Sequence, residues 1–449
     1  MRRGIPSSKL ALFGYFAFLM ITGGLLLWLL PTWADGGHVP FIDAMFTAVS
    51  AVAVTGLITV NTASYSPLGQ SIILGLIQLG GLGVIAFSTL YLTQPRKRLS
   101  LQRRAFIREY FIGSVEYEPR LIVRNIVIST ALLELALAVS LLVGFRRAGV
   151  DRPLFAAVFH AISAFCNAGF STFPDSLERF VVTPSVTVPI MIGLVLGGLG
   201  FVVYQDVFRR VAPRGLTTRR HILSLHTKIV LVATGTAILL GLTLFSIFEW
   251  NGALADLTPG RRISVALFQS VTPRTAGFNT IPQSELSTPS VTLTSLFMFI
   301  GGAPGSIAGG VKVTTFFIIL WFALGGADDQ GDARVFRRKL PAPLIARATL
   351  FVIKALLIVL TSLLLLSVTE SLIANQAFTF RELVFEVFSA FGTVGLSMGI
   401  TSELSGLGKL VIMLTMFAGR VGLISIALGR PGRQWQNLVD YPPGEVLIG

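Results

Sequence analysis

The chain has 449 residues, of which 53% are hydrophobic and 13% charged, against about 25% charged in ordinary globular domains. Its formal charge of +14 would suit a nucleic-acid binder, but the Lys and Arg residues cluster between long apolar stretches, where topological anchoring explains them more simply. That composition excludes a separate soluble domain and argues against nucleic acid as a partner. The lone cysteine, Cys166, excludes an internal disulfide.

A membrane crossing needs about 20 apolar residues. The first candidate, Ala11 to Ala34, is uncharged and follows Arg2, Arg3 and Lys9. It is longer than the core of a cleavable leader, about 7–15 residues, so it is read as a retained span. Residues Ala44 to Pro95 then carry no charged side chain, a run too long for one crossing. It divides into a half-length segment ending at Val54-Thr55-Gly56-Leu57 and a full-length apolar stretch.

This order recurs three times, with half-segments closing on Asn167-Ala168-Gly169-Phe170, Thr275-Ala276-Gly277-Phe278 and Thr393-Val394-Gly395-Leu396. The four glycines lie 113, 108 and 118 residues apart. The expected fold is therefore an all-α integral membrane protein of four repeats, 1–95, 96–210, 211–330 and 331–449. Outer helices are expected near 10–31, 121–145, 227–248 and 348–372. Short helices follow near 41–54, 153–167, 261–275 and 380–393, and second helices near 67–92, 184–208, 289–325 and 406–429. That amounts to eight transmembrane helices and four re-entrant loops around a central pore.

With the linkers after each repeat placed in the cytoplasm, 25 of the 36 basic residues fall inside, including Arg96 to Arg108, Arg209 to Lys228 and Arg334 to Lys354. Lys/Arg bias sets orientation, so both termini are expected in the cytoplasm of a plasma-membrane protein.

The chemistry lies in the glycine loops. Irregular backbone survives at membrane depth only where protein or a watery cavity satisfies it, and inward carbonyls can replace the water around a permeating cation. Glycine permits positive φ and close approach of backbones, and the short helices would aim their negative dipole ends at the ion path. The expected ion-binding residues are Val54, Thr55, Gly56, Asn167, Ala168, Gly169, Thr275, Ala276, Gly277, Thr393, Val394 and Gly395. Ser50, Ser163 and Ser389 each lie six residues before their glycine, with Ser270 seven before Gly277; Phe46, Phe159, Phe268 and Phe385 lie nine or ten before theirs.

These four loops resemble the filter loops of the Ktr/Trk/HKT superfamily of potassium transporters, and the resemblance covers nearly the whole chain. It implies selectivity for K+, since all four repeats carry glycine where some sodium-preferring relatives have serine in the first. It also implies K+ uptake, passive or sodium-coupled, with sodium dependence the favoured expectation; no covalent cofactor and no bond-making catalysis are implied.

Within the second helix of repeat three, Gly301-Gly302-Ala303-Pro304-Gly305-Ser306-Ile307-Ala308-Gly309-Gly310 cannot sustain a helix. It is not a phosphate loop, because Val311 separates Gly310 from Lys312. The string is similar to the superfamily's intramembrane gating loop, which implies that 301–310 regulate conduction. Arg420, near mid-span in the last helix, is a functional candidate by default. The parallel places it beside pore and loop as an electrostatic barrier, though a structural staple for loop carbonyls is a serious alternative. Lys312 is read either as part of the gate or as snorkelling to the interface. Arg274 is expected to support the filter by binding short-helix carbonyls or Glu386. Glu134 calls for a buried partner, while His160 and Cys166 are read as packing residues.

The ending Asp440 to Gly449 resembles the tail of KtrB-type membrane subunits. That implies a homodimer on a cytosolic ring of KtrA-type nucleotide-binding subunits, beside the lipid that any such protein contacts. The competing functional class is a secondary transporter for a small solute, built from two pseudo-symmetric halves with a larger midplane site. Four equal repeats argue against it.

Overall fold

The computed structural model describes residues 7–34, 36–92, 119–211, 222–326, 328 and 331–422. The basic runs 96–108 and 214–220 and the tail 440–449 lie outside the described residues. Four long helices organise the chain: Ser7–Leu29, Pro119–Arg147, Leu225–Glu249 and Ala342–Ser367, the last continuing as a π-turn, Val368–Ile373. Among the described residues these four are long and apolar enough to cross a membrane, and no more than 33% of each apolar window is buried inside the protein. Leu132, Leu135, Val139, Leu239 and Leu364 stand outward, as expected of a surface solvated by lipid.

Each long helix leads to a helix of 13 residues: Phe41–Ala53, Pro153–Phe165, Pro259–Val271 and Phe380–Gly392. Proline opens two of these, where a missing N–H costs nothing. The fourth starts with a capping box between Thr379 and Glu382. Phe46, Phe159, Phe268 and Phe385 are all at most 1% exposed, so the recurring aromatic is a core anchor in every quarter. After the glycine segment each quarter makes a three-residue 3-10 turn, Thr62–Ser64, Glu178–Phe180, Gln283–Glu285 or Ile400–Ser402, and then enters its second helix.

The second helices differ from one another. Pro67–Leu92 is unbroken, whereas residues 288–325 form two helices, Thr288–Phe299 and Val313–Gly325, split by the glycine-rich segment. Gly406–Phe417 passes into a π-turn, Ala418–Gly422. The helix expected over 184–208 is not continuous. It ends at Leu199, and Phe201–Val211 leaves at 97°. Gly200 makes the break, with φ 85° and ψ 149°, a backbone state open to glycine alone. A hairpin, Ala333–Val335 with Arg338–Leu340, joins the third and fourth quarters and pairs Ala333 with Leu340.

The quarters form a ring in chain order. Asn61 donates to the Pro174 carbonyl (2.9 Å), and Asn279 donates to Glu178 (2.6 Å). Phe299 stacks on Phe391, and Lys409 pairs with Asp43 across 366 residues at 2.8 Å. In the last two quarters a carboxylate ties the long helix to the start of the second helix. Glu249 accepts from Ser287 N and Oγ (2.9 and 2.6 Å), and Glu370 from Ser405 N and Oγ (3.2 and 2.7 Å). Negative charge at a helix N-terminus is favourable.

Candidate functional site

The four glycine segments meet. A Cβ placed on Gly56 would lie 2.4 Å from the Ala168 carbonyl oxygen; on Gly169, 3.0 Å from that of Ala276; on Gly277, 2.2 Å from that of Val394; and on Gly395, 2.3 Å from that of Thr55. Each glycine thus faces the carbonyl just before the next glycine, and the fourth returns to the first. The contacts close a ring with no room for a side chain.

The backbone explains how carbonyls come to be available there. Val54, Asn167, Thr275 and Thr393, each two residues before its glycine, have φ of 56°, 56°, 67° and 52°, and the glycines have φ of 95°, 71°, 78° and 96°. The residue between is on the negative side in every case. Alternating hand turns successive carbonyls toward one side, unlike a strand, whose carbonyls alternate. The amides turn back onto the short helices: Thr55, Ala168 and Val394 N–H donate to the carbonyls of Ser50, Ser163 and Ser389 at 2.8, 2.7 and 2.9 Å, and Ala276 N–H to that of Thr272 at 3.0 Å.

The serines are therefore struts. Ser50 and Ser389 Oγ accept from Gly56 and Gly395 N–H (3.0 and 3.1 Å), while Ser163 Oγ donates to the Phe170 carbonyl (2.8 Å). In the third quarter the strut is Thr272, which donates to the Phe278 carbonyl; Ser270 bonds back to Leu267 within its own helix. Ser270, seven residues before its glycine, is thus not the counterpart of the other three serines, because Thr272, Pro273 and Arg274 extend this segment past the end of its helix. The hydroxyls of Thr55 and Thr393 are buried without a hydrogen-bond partner. The Asn167 amide is best oriented with nitrogen toward the Ala164, Phe165 and Leu194 carbonyls (3.1, 3.3 and 3.3 Å).

The segment 301–310 lies beside this ring. A Cβ on Gly309 would meet Thr393 Oγ1 at 2.1 Å, and one on Gly301 the Gly309 carbonyl at 1.9 Å. Its backbone is bonded to the broken helix of the second quarter: Ala303 N–H to Gly198 O (2.8 Å), Ile307 N–H to Gly197 O (3.4 Å), and Phe201 N–H back to Gly305 O (3.3 Å). The carbonyls freed by the Gly200 break are thereby used, which irregular backbone in an apolar surround requires. Sequence reasoning passed over Gly197, Gly198 and Gly200. The glycine triplet was the available signal, but nothing local says which partner it meets.

Arg420 is 3% exposed and donates to the Ile307 carbonyl and to Gly80 O (3.2 Å), joining the segment to the second helix of the first quarter. The Lys312 ammonium folds back to the Ala308 carbonyl. Arg274 donates to Thr234 on its own long helix (3.4 Å), so the expected Glu386 pairing is not made. Glu386 instead accepts from Ser397 (2.9 Å) and from Thr401. Glu134 accepts from Gln78 (3.0 Å) and lies by the Cys166 thiol (3.9 Å), which itself faces Gln78 Oε1 (3.2 Å). His160 bridges the Ala156 carbonyl and Ser171 and stacks on Phe173.

Apolar long helices around a closed ring of backbone oxygens define a multi-pass membrane protein of the cation-transporter class. The chain belongs to the TrkH family, described as cation transport protein, which it matches over residues 24–436. This is a transporter family and not an enzyme family. The chain is 37% identical to Ktr system potassium uptake protein B of Bacillus subtilis, over 100% of this chain and 97% of that protein. It is 34% identical to the potassium/sodium uptake protein NtpJ of Enterococcus hirae, over 100% and 98%. The crystal structure of the potassium transporter TrkH from Vibrio parahaemolyticus superposes with a TM-score of 0.74 at 19% identity, covering 97% of this chain and 87% of that one.

Proposed function

We propose that this protein takes up K+ across the plasma membrane through the glycine ring, in a sodium-dependent manner. The observation that carries the reading is the closed cycle from Gly56 to Gly169, Gly277, Gly395 and back. The oxygens of residues 54–56, 167–169, 275–277 and 393–395 replace the hydration shell of K+, and the partnerless hydroxyls of Thr55 and Thr393 add ligands beside them. The four quarters, 1–95, 96–210, 211–330 and 331–449, supply eight crossings and four re-entrant short helices, with both termini in the cytoplasm. Residues 301–310 are the gate, held shut by Arg420 and Lys312 at their carbonyls. Relatives named for potassium uptake support the ion, and a relative named for potassium/sodium uptake supports a role for Na+. We place the protein in a homodimer on a KtrA-type nucleotide-binding ring.

Rubidium-tracer flux into proteoliposomes, with and without Na+, tests this reading. Wild type conducts Rb+ faster when Na+ is present, and Gly56→Ser raises Na+ permeation relative to Rb+. An unchanged ion ratio in Gly56→Ser at normal membrane levels would sink the filter assignment.

A further inference from the structure

A groove of ≈ 440 Å³ runs between the helix Val313–Gly325 and the helix Ala342–Ser367. Phe322 forms one wall, and Ile345, Leu350 and Ile353 form the other. Gly331 and Ala342, at the two feet of the hairpin, close one end. From Ala342 to Ile353 is 11 residues, about 16 Å along a helix, so the groove is elongated, apolar and open to the side. Leu350 and Ile353 are 52% and 49% exposed.

The hairpin at its end has the opposite character. Its inward residues Ala333, Val335 and Leu340 are buried against Ile229 and Ile345, fixing it to the helices. Trp321 beside the groove donates to the Arg334 carbonyl (3.0 Å). Between Ala333 and Leu340 there are four basic residues and no acid. Arg334, Arg337 and Arg338 are exposed, while Lys339 pairs with Asp332, which also accepts from Ala342 N–H (2.7 Å). Phe336 and Arg337 make the turn with φ of 47° and 62°, an uncommon state for side chains of that size. A bulky aromatic and three arginines are thus carried by a hairpin whose two feet close one end of an apolar slot.

We propose that this cleft binds one anionic phospholipid, its acyl chain lying along Phe322, Leu350 and Ile353 and its phosphate held by Arg334, Arg337 and Arg338. Charge complementarity selects the headgroup, and an elongated apolar wall selects the chain. A water-soluble phosphate offers nothing to the wall, and a second copy of a chain with a formal charge of +14 would meet the arginines with net repulsion. The assignment needs no ion conduction.

Native mass spectrometry of the full chain in neutral detergent tests it. With phosphatidylglycerol added, wild type retains one lipid per protomer, and with phosphatidylcholine it retains none. The variant Arg334→Gln/Arg337→Gln/Arg338→Gln lowers retention by about tenfold or more. Thr349→Phe, which fills the groove, lowers it independently of charge. Arg146→Gln/Arg147→Gln, which removes exposed charge elsewhere, retains the lipid. Equal retention of both lipids, or full retention by the triple variant, overturns the proposal. So does competition by inorganic phosphate alone, or a disulfide between copies of Leu350→Cys that shows a second chain covering the groove.

Discussion

In every quarter the short helix has 13 residues and hands over to a left-handed residue two positions before its glycine. The second helices just beyond take four different forms: unbroken, bent by 97°, split by a loop and ended by a π-turn. The same protein is thus nearly fourfold on one side of the glycine ring and wholly unsymmetric on the other. Binding a spherical ion calls for equivalent oxygens from all sides. Among the described residues, the third quarter alone interrupts its second helix with a glycine-rich loop, which is the difference from its neighbours that the proposed gate requires.

The largest effect is expected where symmetry is tightest. Gly277→Ala puts a Cβ 2.2 Å from the Val394 oxygen at a φ of 78°. The left-handed backbone alone costs about 1–2 kcal/mol, and the ring must also spread. Rubidium uptake should fall by about tenfold or more at normal membrane abundance; retained flux with unchanged ion selectivity would show that the ring is not the conducting path.

Next comes the unsymmetric side. Arg420→Ala removes the donor to Ile307 and Gly80, and deletion of 303–308 removes the loop itself. Both should raise resting flux by about tenfold or more, since even one hydrogen bond to a charged group contributes about 1.5–3 kcal/mol. Lowered or equal flux at matched abundance would assign Arg420 to stability alone.

A smaller effect distinguishes the strut from its neighbour. Thr272→Val deletes the bond to the Phe278 carbonyl, whereas Ser270→Ala deletes only a bond within its helix. Thr272→Val should weaken Rb+ over Na+ discrimination by about 2–10-fold, the worth of one neutral hydrogen bond, and Ser270→Ala should leave it unchanged. A reversed order would restore Ser270 as the equivalent residue. Least affected is transport itself: Lys409→Met should leave the Rb+ over Na+ ratio unchanged while lowering the unfolding midpoint in detergent by several degrees, because the Asp43 carboxylate, only 12% exposed, loses its cation.

Much of the symmetric side could be read from residue order. Half-length segments, a small flexible residue at each tip and the repeated Phe are all local signals, and the short helices begin within two residues of the expected positions. The break in 301–312 was equally legible, since five glycines and a proline state it outright. Gly200 was not, because a helix containing Gly197 and Gly198 becomes a bend only when another quarter donates to the freed carbonyls. Arg274 failed for a related reason: Thr234 and Glu386 lie 40 and 112 positions away in the chain, and only the packing of its own long helix selects the nearer one. Thr272 was hidden by a residue offset that shifts one quarter against the other three.

The Lys409–Asp43 seam has a consequence for biogenesis. Until the last quarter of the polypeptide has been inserted, Gly277 and Gly56 lack the neighbours that Val394 and Gly395 later provide, and three backbone tips stay exposed at membrane depth, where unsatisfied groups cost several kcal/mol each. A chain stalled before residue 380 therefore carries three of the four glycine segments with the ring still open, and the Lys409–Asp43 seam can form only once the last quarter is in place.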